Sequence, residues 1–262
     1  MTEIKLINDF AANGYGLDQI TEQDFHYLNK ASVKPDGVKV VMGPGTGLGE
    51  VILSKSVFAP CHEIVPSEGG HVDYSPKSEE DFKLYAFAKN YVDQSSDGSS
   101  NNVTVEHVCA GPAFPMLYQF YKQECPDLAR VLDGEEVTSH RVVYKAMQDK
   151  DPLCMKAVKK FTEIFATECG NFALKALPTG GIYLVGGVTM GITDYIIKDE
   201  HFKDVFFKKG RFENMMRRFP LMVIKKEVEL GLLGAEECVY RMLGRYKDLP
   251  NYSSSRSAGY SF

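Results

Sequence analysis

The chain has no block of lysines and arginines long enough to hold a phosphate backbone: 30 Lys+Arg stand against 35 Asp+Glu, for a formal net charge of -5. That balance argues against general nucleic-acid binding. No apolar run reaches bilayer-spanning length, and the opening MTEIKLINDF has no signal-peptide pattern. The six cysteines, Cys61, Cys109, Cys125, Cys154, Cys169 and Cys238, include no CxxC pair. They read as reduced cytosolic thiols, not as a disulfide framework or a zinc site. His62 with Cys61, or His71 with Asp73, fits no zinc spacing, so no metal site is expected. Internal repeats and an obvious mid-chain linker are missing too. What is present is an ordinary composition, 44% hydrophobic and 25% charged over 262 residues, enough for one large domain or two modest ones.

Local patterns predict mixed α and β structure. Ile4, Leu6 and Ile7 read as a strand broken by Asn8-Asp9, with turn and short-helix material after it. Val38, Val40 and Met42 alternate, GPGTGLG (43–49) turns, and Val51-Ile52-Leu53 begin another strand, which is a hairpin plan. Ser78, with Asp81 three residues on, predicts a helix start carrying an apolar stripe of Phe82, Tyr85, Ala88 and Val92. QSSDGSSNN (94–102) reads as a polar surface loop, and Val103 and Val105 as a short strand running into Glu106-His107. Pro112 suits a first helical position, followed by Phe114, Leu117, Tyr118 and Tyr121 on one side. Asp151-Pro152 opens the clearest helix, whose apolar positions from Cys154 to Ala173 keep the 3.6 period for about six turns. Pro178 and Gly180-Gly181 stop it, Ile182–Val185 reads as a buried strand running into Gly186-Gly187, and a late helix near Leu232 carries Val239 and Leu243. Phe82, Phe161, Phe165 and Phe172 are expected in the core.

Five segments could carry chemistry. In GPGTGLG, successive N–H groups of a glycine turn can converge on a phosphate, with Thr46 adding a hydroxyl and Gly45 and Gly47 allowing close approach. A plain β-hairpin explains the same residues equally well. No lysine stands in the Walker position and a strand follows, so the Walker and dinucleotide motifs both fail in context. Glu68-Gly69-Gly70-His71 can fold sharply and bring a carboxylate and an imidazole to one volume, a way to grip adjacent hydroxyls of a polyol. Surface decoration is the bland alternative. Asn8-Asp9 and Glu106 each sit at an expected strand end, where open α/β sheets keep ligands. Gly186-Gly187 could seat a flat ring against bare backbone. Singly, none of these decides a function.

Taken in order they resemble a family. LINDFAANGYGL, GPGTGLGEVIL, PSEGGHVDYSP, EHVCAGPAFPMLY, GGIYLVGGVTMG, FKKGRF and GLLGAEECVYRML together resemble the bacterial-type (group A) glucokinases of the sugar-kinase, actin and Hsp70 superfamily. The resemblance implies an α/β fold with a ribonuclease-H-like, actin-like ATPase domain. It implies transfer of the ATP γ-phosphate to the 6-hydroxyl of glucose, with Asp9 as catalytic base and Asn8 as a neighbouring hydroxyl ligand. Glu68, His71 and Glu106 would hold ring hydroxyls. Gly45, Thr46 and Gly47 would approach the nucleotide phosphates, and Gly186 and Gly187 would wall the nucleoside. ATP with Mg2+, held mainly through the nucleotide, is the implied cofactor, glucose and ATP the partners, a homodimer the assembly and cytoplasm the location.

Family members begin with a strand and turn resembling D-x-G-G-T, the first phosphate loop. No such segment precedes LINDF here, so the resemblance implies an N-terminally truncated chain with little or no phosphorylating activity. It divides the chain into a small-domain remnant (1–19, a strand bearing Asn8-Asp9), a large α/β domain (20–230), a C-terminal helix returning to the small domain (231–247) and a flexible tail (248–262). The rival readings are a kinase for another hexose, whose Cys-rich zinc loop is lacking here, and a non-catalytic sugar-binding fragment or regulator.

Overall fold

Consecutive apolar residues in three of the strands, Val40-Val41-Met42, Ile182-Tyr183-Leu184 and Leu221-Met222-Val223, are buried on both sides, which is what parallel strands inside an α/β domain require. The computed structural model describes residues 6–56, 61–95, 102–128 and 131–244. Its strands are β1 (Phe25–Tyr27), β2 (Lys39–Pro44), β3 (Leu48–Ser54), β4 (Glu63–Ser67), β5 (Gly181–Leu184) and β6 (Leu221–Ile224). They form one six-stranded sheet in the order β1-β6-β5-β2-β3-β4. β2, β5 and β6 run parallel, while β1, β3 and β4 are antiparallel to their neighbours. The helices are α1 (Asp9–Gly16), α2 (Glu79–Ser95), α3 (Val105–Val108), α4 (Ala113–Glu124), α5 (Ser139–Tyr144), α6 (Pro152–Ala176), α7 (Gly187–Gly191), α8 (Thr193–Lys198), α9 (Glu200–Phe207), α10 (Glu213–Met216) and α11 (Leu230–Met242).

One sheet face carries the larger core. Val40, Met42, Ile182, Leu184, Leu221 and Val223 meet helices led by α4, α6 and α9. α6 begins as its sequence predicts: Asp151 Oδ1 accepts from the Cys154 N–H at 2.8 Å and Pro152 fills the first turn. It ends at Leu177, in the left-handed region at φ 50°. Phe161, from its middle, stacks on Phe114 with ring centroids 4.3 Å apart.

The other face is covered more thinly. α1 lies on β2, β3 and β4, and α11 packs across α1. The helices cross closely because a side chain at Gly234 would collide with the Ala12 carbonyl and one at Gly16 with that of Leu230. Just past α1, Asp18 pairs with Lys39 at 3.0 Å, His62 Nδ1 at 3.3 Å and Arg241 at 2.9 Å, and Arg241 also binds Glu237 at 2.6 Å. Burial pushes the Asp18 carboxyl up, but His62 and Lys39 outweigh it and hold it well below the usual carboxylate range.

Several sequence expectations are corrected. Leu6 and Ile7 are not strand, and Asn8 caps α1, so Asn8-Asp9 begin a helix where a strand end was expected; Ile4 lies outside the described residues. Val103 and Val105 do not form a strand: Thr104 makes a single bridge to Asp73, and Val105 starts α3. Phe82 is 63% exposed, because α2 turns Asp81, Leu84 and Ala88 inward. In the loop expected over 94–102, Gln94 and Ser95 complete α2, and 96–101 lie outside the described residues. α11 buries Leu230, Gly234, Glu237 and Cys238, and leaves Leu232 and Val239 exposed, as is Leu243 just past its end. The tail from 245 onward is outside the described residues.

Candidate functional site

The GPGTGLG hairpin follows directly from β2, and its register pairs Gly43 with Gly49 and Pro44 with Leu48. Gly45 N–H donates to the Gly47 carbonyl at 2.7 Å, and Leu48 N–H donates to Glu106 Oε2 at 2.8 Å. Two of the turn's N–H groups are therefore already engaged. The tip residue Thr46 is exposed. A side chain at Gly47 would collide with the Glu106 carboxylate, and one at Gly49 with the Phe10 ring, so these glycines are required by what packs on the hairpin.

Glu106 reaches the hairpin because two chain segments run side by side. Tyr74 N–H donates to the Val103 carbonyl at 2.8 Å and Val105 N–H to that of Val72 at 2.9 Å. α3 then projects Glu106 toward Gly47. Glu68, Gly69, Gly70 and His71 form a single helical turn in which His71 N–H donates to the Glu68 carbonyl at 3.0 Å. The His71 Nε2 and Glu68 Oε2 atoms are 4.0 Å apart, and both side chains are open to solvent. At the start of α1, Asn8 Oδ1 accepts from the Phe10 and Ala11 N–H groups at 2.9 and 3.2 Å. Asp9 stands exposed in the first turn.

Asn8, Asp9, Gly45, Thr46, Gly47, Glu68 and Glu106 line one cleft of about 230 Å³, together with Phe10, Leu48, Gly49, Glu50 and Ser67. No Lys or Arg is among these lining residues, whereas Asp9, Glu50, Glu68 and Glu106 each bring a carboxyl group. Such a surface offers hydrogen-bond acceptors to a neutral polyol and a base to a hydroxyl. His71 does not line the cleft but flanks it through Glu68. Gly186 and Gly187 lie behind it, past the end of β5. Gly186, at φ 94°, backs onto the hairpin, where an added side chain would come within 2.6 Å of the Pro44 carbonyl. Both glycine segments thus leave the carboxyl ends of adjacent parallel strands, β2 and β5, where open α/β sheets bind ligands. A larger hollow of about 760 Å³ lies apart, lined by Met190, Tyr195 and Lys225 among others and by none of the predicted site residues.

Sequence reading missed Phe10, Ser67 and Glu50 in the cleft. Glu50 alone left a signal, being an acid in a strand whose same-face neighbours, Leu48 and Ile52, are apolar. Gly111 was also missed: its N–H donates to the Gly45 carbonyl at 2.7 Å. Among the described residues, no group of three or more His, Cys, Asp or Glu side chains is placed to hold a metal ion. His62 instead faces Asp18 and the Gly37 carbonyl. No helix among the described residues is long and apolar enough to cross a membrane.

Comparison with known proteins follows the same line. A family model described as Glucokinase matches residues 1–242. The chain is 33% identical over 254 residues to a glucokinase of Nostoc punctiforme, covering 91% of this chain and 72% of that protein. A Yersinia enterocolitica glucokinase is 30% identical over 245 residues, covering 93% and 70%. Among solved structures, a glucokinase from an Antarctic psychrotroph superposes with a TM-score of 0.75 at 22% identity, covering 90% of this chain and 68% of its own. A Balamuthia mandrillaris glucokinase in complex with glucose gives 0.75 at 20%, covering 90% and 65%. These superpositions show a common fold.

Proposed function

This chain belongs to the glucokinase family, a family of ATP-dependent sugar kinases, and on that premise we propose that its cleft binds glucose and directs the 6-hydroxyl toward the γ-phosphate of ATP. The observation that carries the reading is the convergence of seven predicted residues, from four separate stretches of chain, on one cleft free of lysine and arginine. Asp9 is the base. It is exposed at the mouth, where it can take the proton from the sugar hydroxyl as that oxygen attacks phosphorus. Asn8, Glu68 and Glu106 hold the remaining hydroxyls, with His71 beside Glu68 at the flank, so an epimer with one hydroxyl misplaced leaves an acceptor unpaired. The Gly45–Gly47 turn lets the phosphates approach bare backbone, and Gly186-Gly187 shape the nucleoside side. Mg2+ would enter on the nucleotide, its charge offsetting that of the phosphates.

A coupled assay of glucose 6-phosphate formation, run beside glucose calorimetry, tests this reading. Turnover that falls about 10²–10⁴-fold in Asp9→Asn supports it. Binding heat without turnover would remove the phosphoryl-transfer part, and neither heat nor turnover would remove the sugar site as well.

A further inference from the structure

We propose that Glu50 is a positioning residue of the sugar site: its buried carboxyl, as the neutral acid, fixes the Ser67–Gly69 turn and makes the hold on the sugar fail in alkaline solution. This rests on the reading of the cleft as a sugar site. Glu50 sits on β3 between Leu48 and Ile52, on the face turned to α6, and is only 3% exposed. It is paired in register with Ser67 of β4. Ser67 Oγ accepts from the Gly69 N–H at 3.0 Å. Glu50 Oε2 occupies the space that a side chain at Gly69 would need, and the Leu48 carbonyl occupies that of Gly70. The loop carrying Glu68 and His71 therefore rests directly on β3, with the Glu50 carboxyl as part of its seat. That contact explains both glycines more specifically than turn formation does.

The charge state follows from the surroundings. Glu50 Oε1 is buried with no hydrogen-bond partner among the described residues. From α6, Glu168 repels a charge on Glu50 while Lys175 favours it more weakly, and Cys109 and Cys169 lie buried in the same field. Glu68 and His71 on the loop itself are exposed. Burial first, and Glu168 second, push the Glu50 carboxyl up to about 8. With the folded value above the ordinary one, the favourable form is complete at low pH and is lost as the pH rises through about 8. Ionisation then places a charge without a partner beneath the Gly69 turn, and the loop must shift to let it reach water.

The test measures two quantities from pH 6.5 to 9.5 on the full chain: amide exchange over residues 67–72, corrected for intrinsic rates, and calorimetric glucose affinity. In wild type both loop protection and affinity should fall by roughly tenfold or more across this range, since each unit above the carboxyl's pKa is a tenfold loss of the neutral form. Glu50→Gln keeps shape and neutrality and should abolish the fall. Glu50→Ala should weaken the loop at every pH; if that variant does not fold, the wild-type and Gln proteins still decide. Lys209 also titrates near 8, held down by burial and Lys77, and stays intact in Glu50→Gln. An alkaline loss that persists in Glu50→Gln therefore overturns the proposal, as does wild-type loop exchange that is flat with pH. The exchange arm needs no sugar. Absent glucose binding at all pH values would refute the sugar-site reading alone, while loop exchange would still judge Glu50.

Discussion

On the α6 face of the sheet, Phe114, Phe161, Phe165 and Phe202 are fully buried and packed ring to ring in sequence, and Phe206 is fully buried beside Phe207. On the α1 face the apolar cluster is smaller, and the two helices are joined through glycine contacts and the ion pairs around Asp18. Apolar burial is cooperative and indifferent to pH, whereas charge pairs are directional and titratable. The cleft draws on both sides. Glu50 and Glu106 belong to the heavily packed side, but Asn8 and Asp9 ride on α1. The proposed base is therefore carried by the element with the lighter anchorage, and damage to either face should register differently at the site.

The largest effect should come from the heavy face. Phe161→Ala removes a fully buried, stacked ring and should cost about 3–5 kcal/mol, with α1, α6 and the sheet losing protection together in denaturant. Next comes the ion network. Asp18→Asn should cost about 1.5–3 kcal/mol, and hydrogen exchange should speed up in α1 and α11 while α6 is unchanged. Equal acceleration in all three helices would erase the distinction between the faces. The same residue sets a pH signature. Its folded pKa lies below the ordinary carboxylate value, so its contribution is complete above about pH 4 and is lost as the pH falls further. Acid should accordingly loosen α11 before α6, and Asp18→Asn should remove that order. The smallest effect is expected at Leu232, 72% exposed on α11: Leu232→Ala should change stability by no more than about 0.5 kcal/mol.

What could be read in advance follows the range of the interactions involved. The Asp151 cap, the α6 stripe and the glycine hairpin are set by neighbours within a few residues, and they stand in the structure where the sequence put them. The start of α1 was misread because Leu6 and Ile7 mimic a strand, while the Asn8 cap that makes a helix is equally common in turns. Phe82 was misassigned for another reason. Hydrophobicity alone does not tell which of two apolar stripes meets the core, and in α2 the stripe of Asp81, Leu84 and Ala88 is turned inward instead. The seat beneath Gly69 and the Asp18–Arg241 pair, 223 residues apart in sequence, exist only once the chain is folded. Grouping Asn8-Asp9, Glu68 and Glu106 at one site came from their order along a family-like chain, since no local pattern relates them.

The most direct measurement is a pair of calorimetric titrations, glucose and then galactose, into the 262-residue chain and its Glu68→Ala variant. Glu68 is 88% exposed, so its removal leaves the fold intact. Glucose should bind wild type with at least about tenfold preference over galactose, and Glu68→Ala should lose about 1.5–3 kcal/mol of that binding. Equal heats for the two epimers, or glucose heat unchanged by Glu68→Ala, would contradict the assignment of this cleft to a sugar.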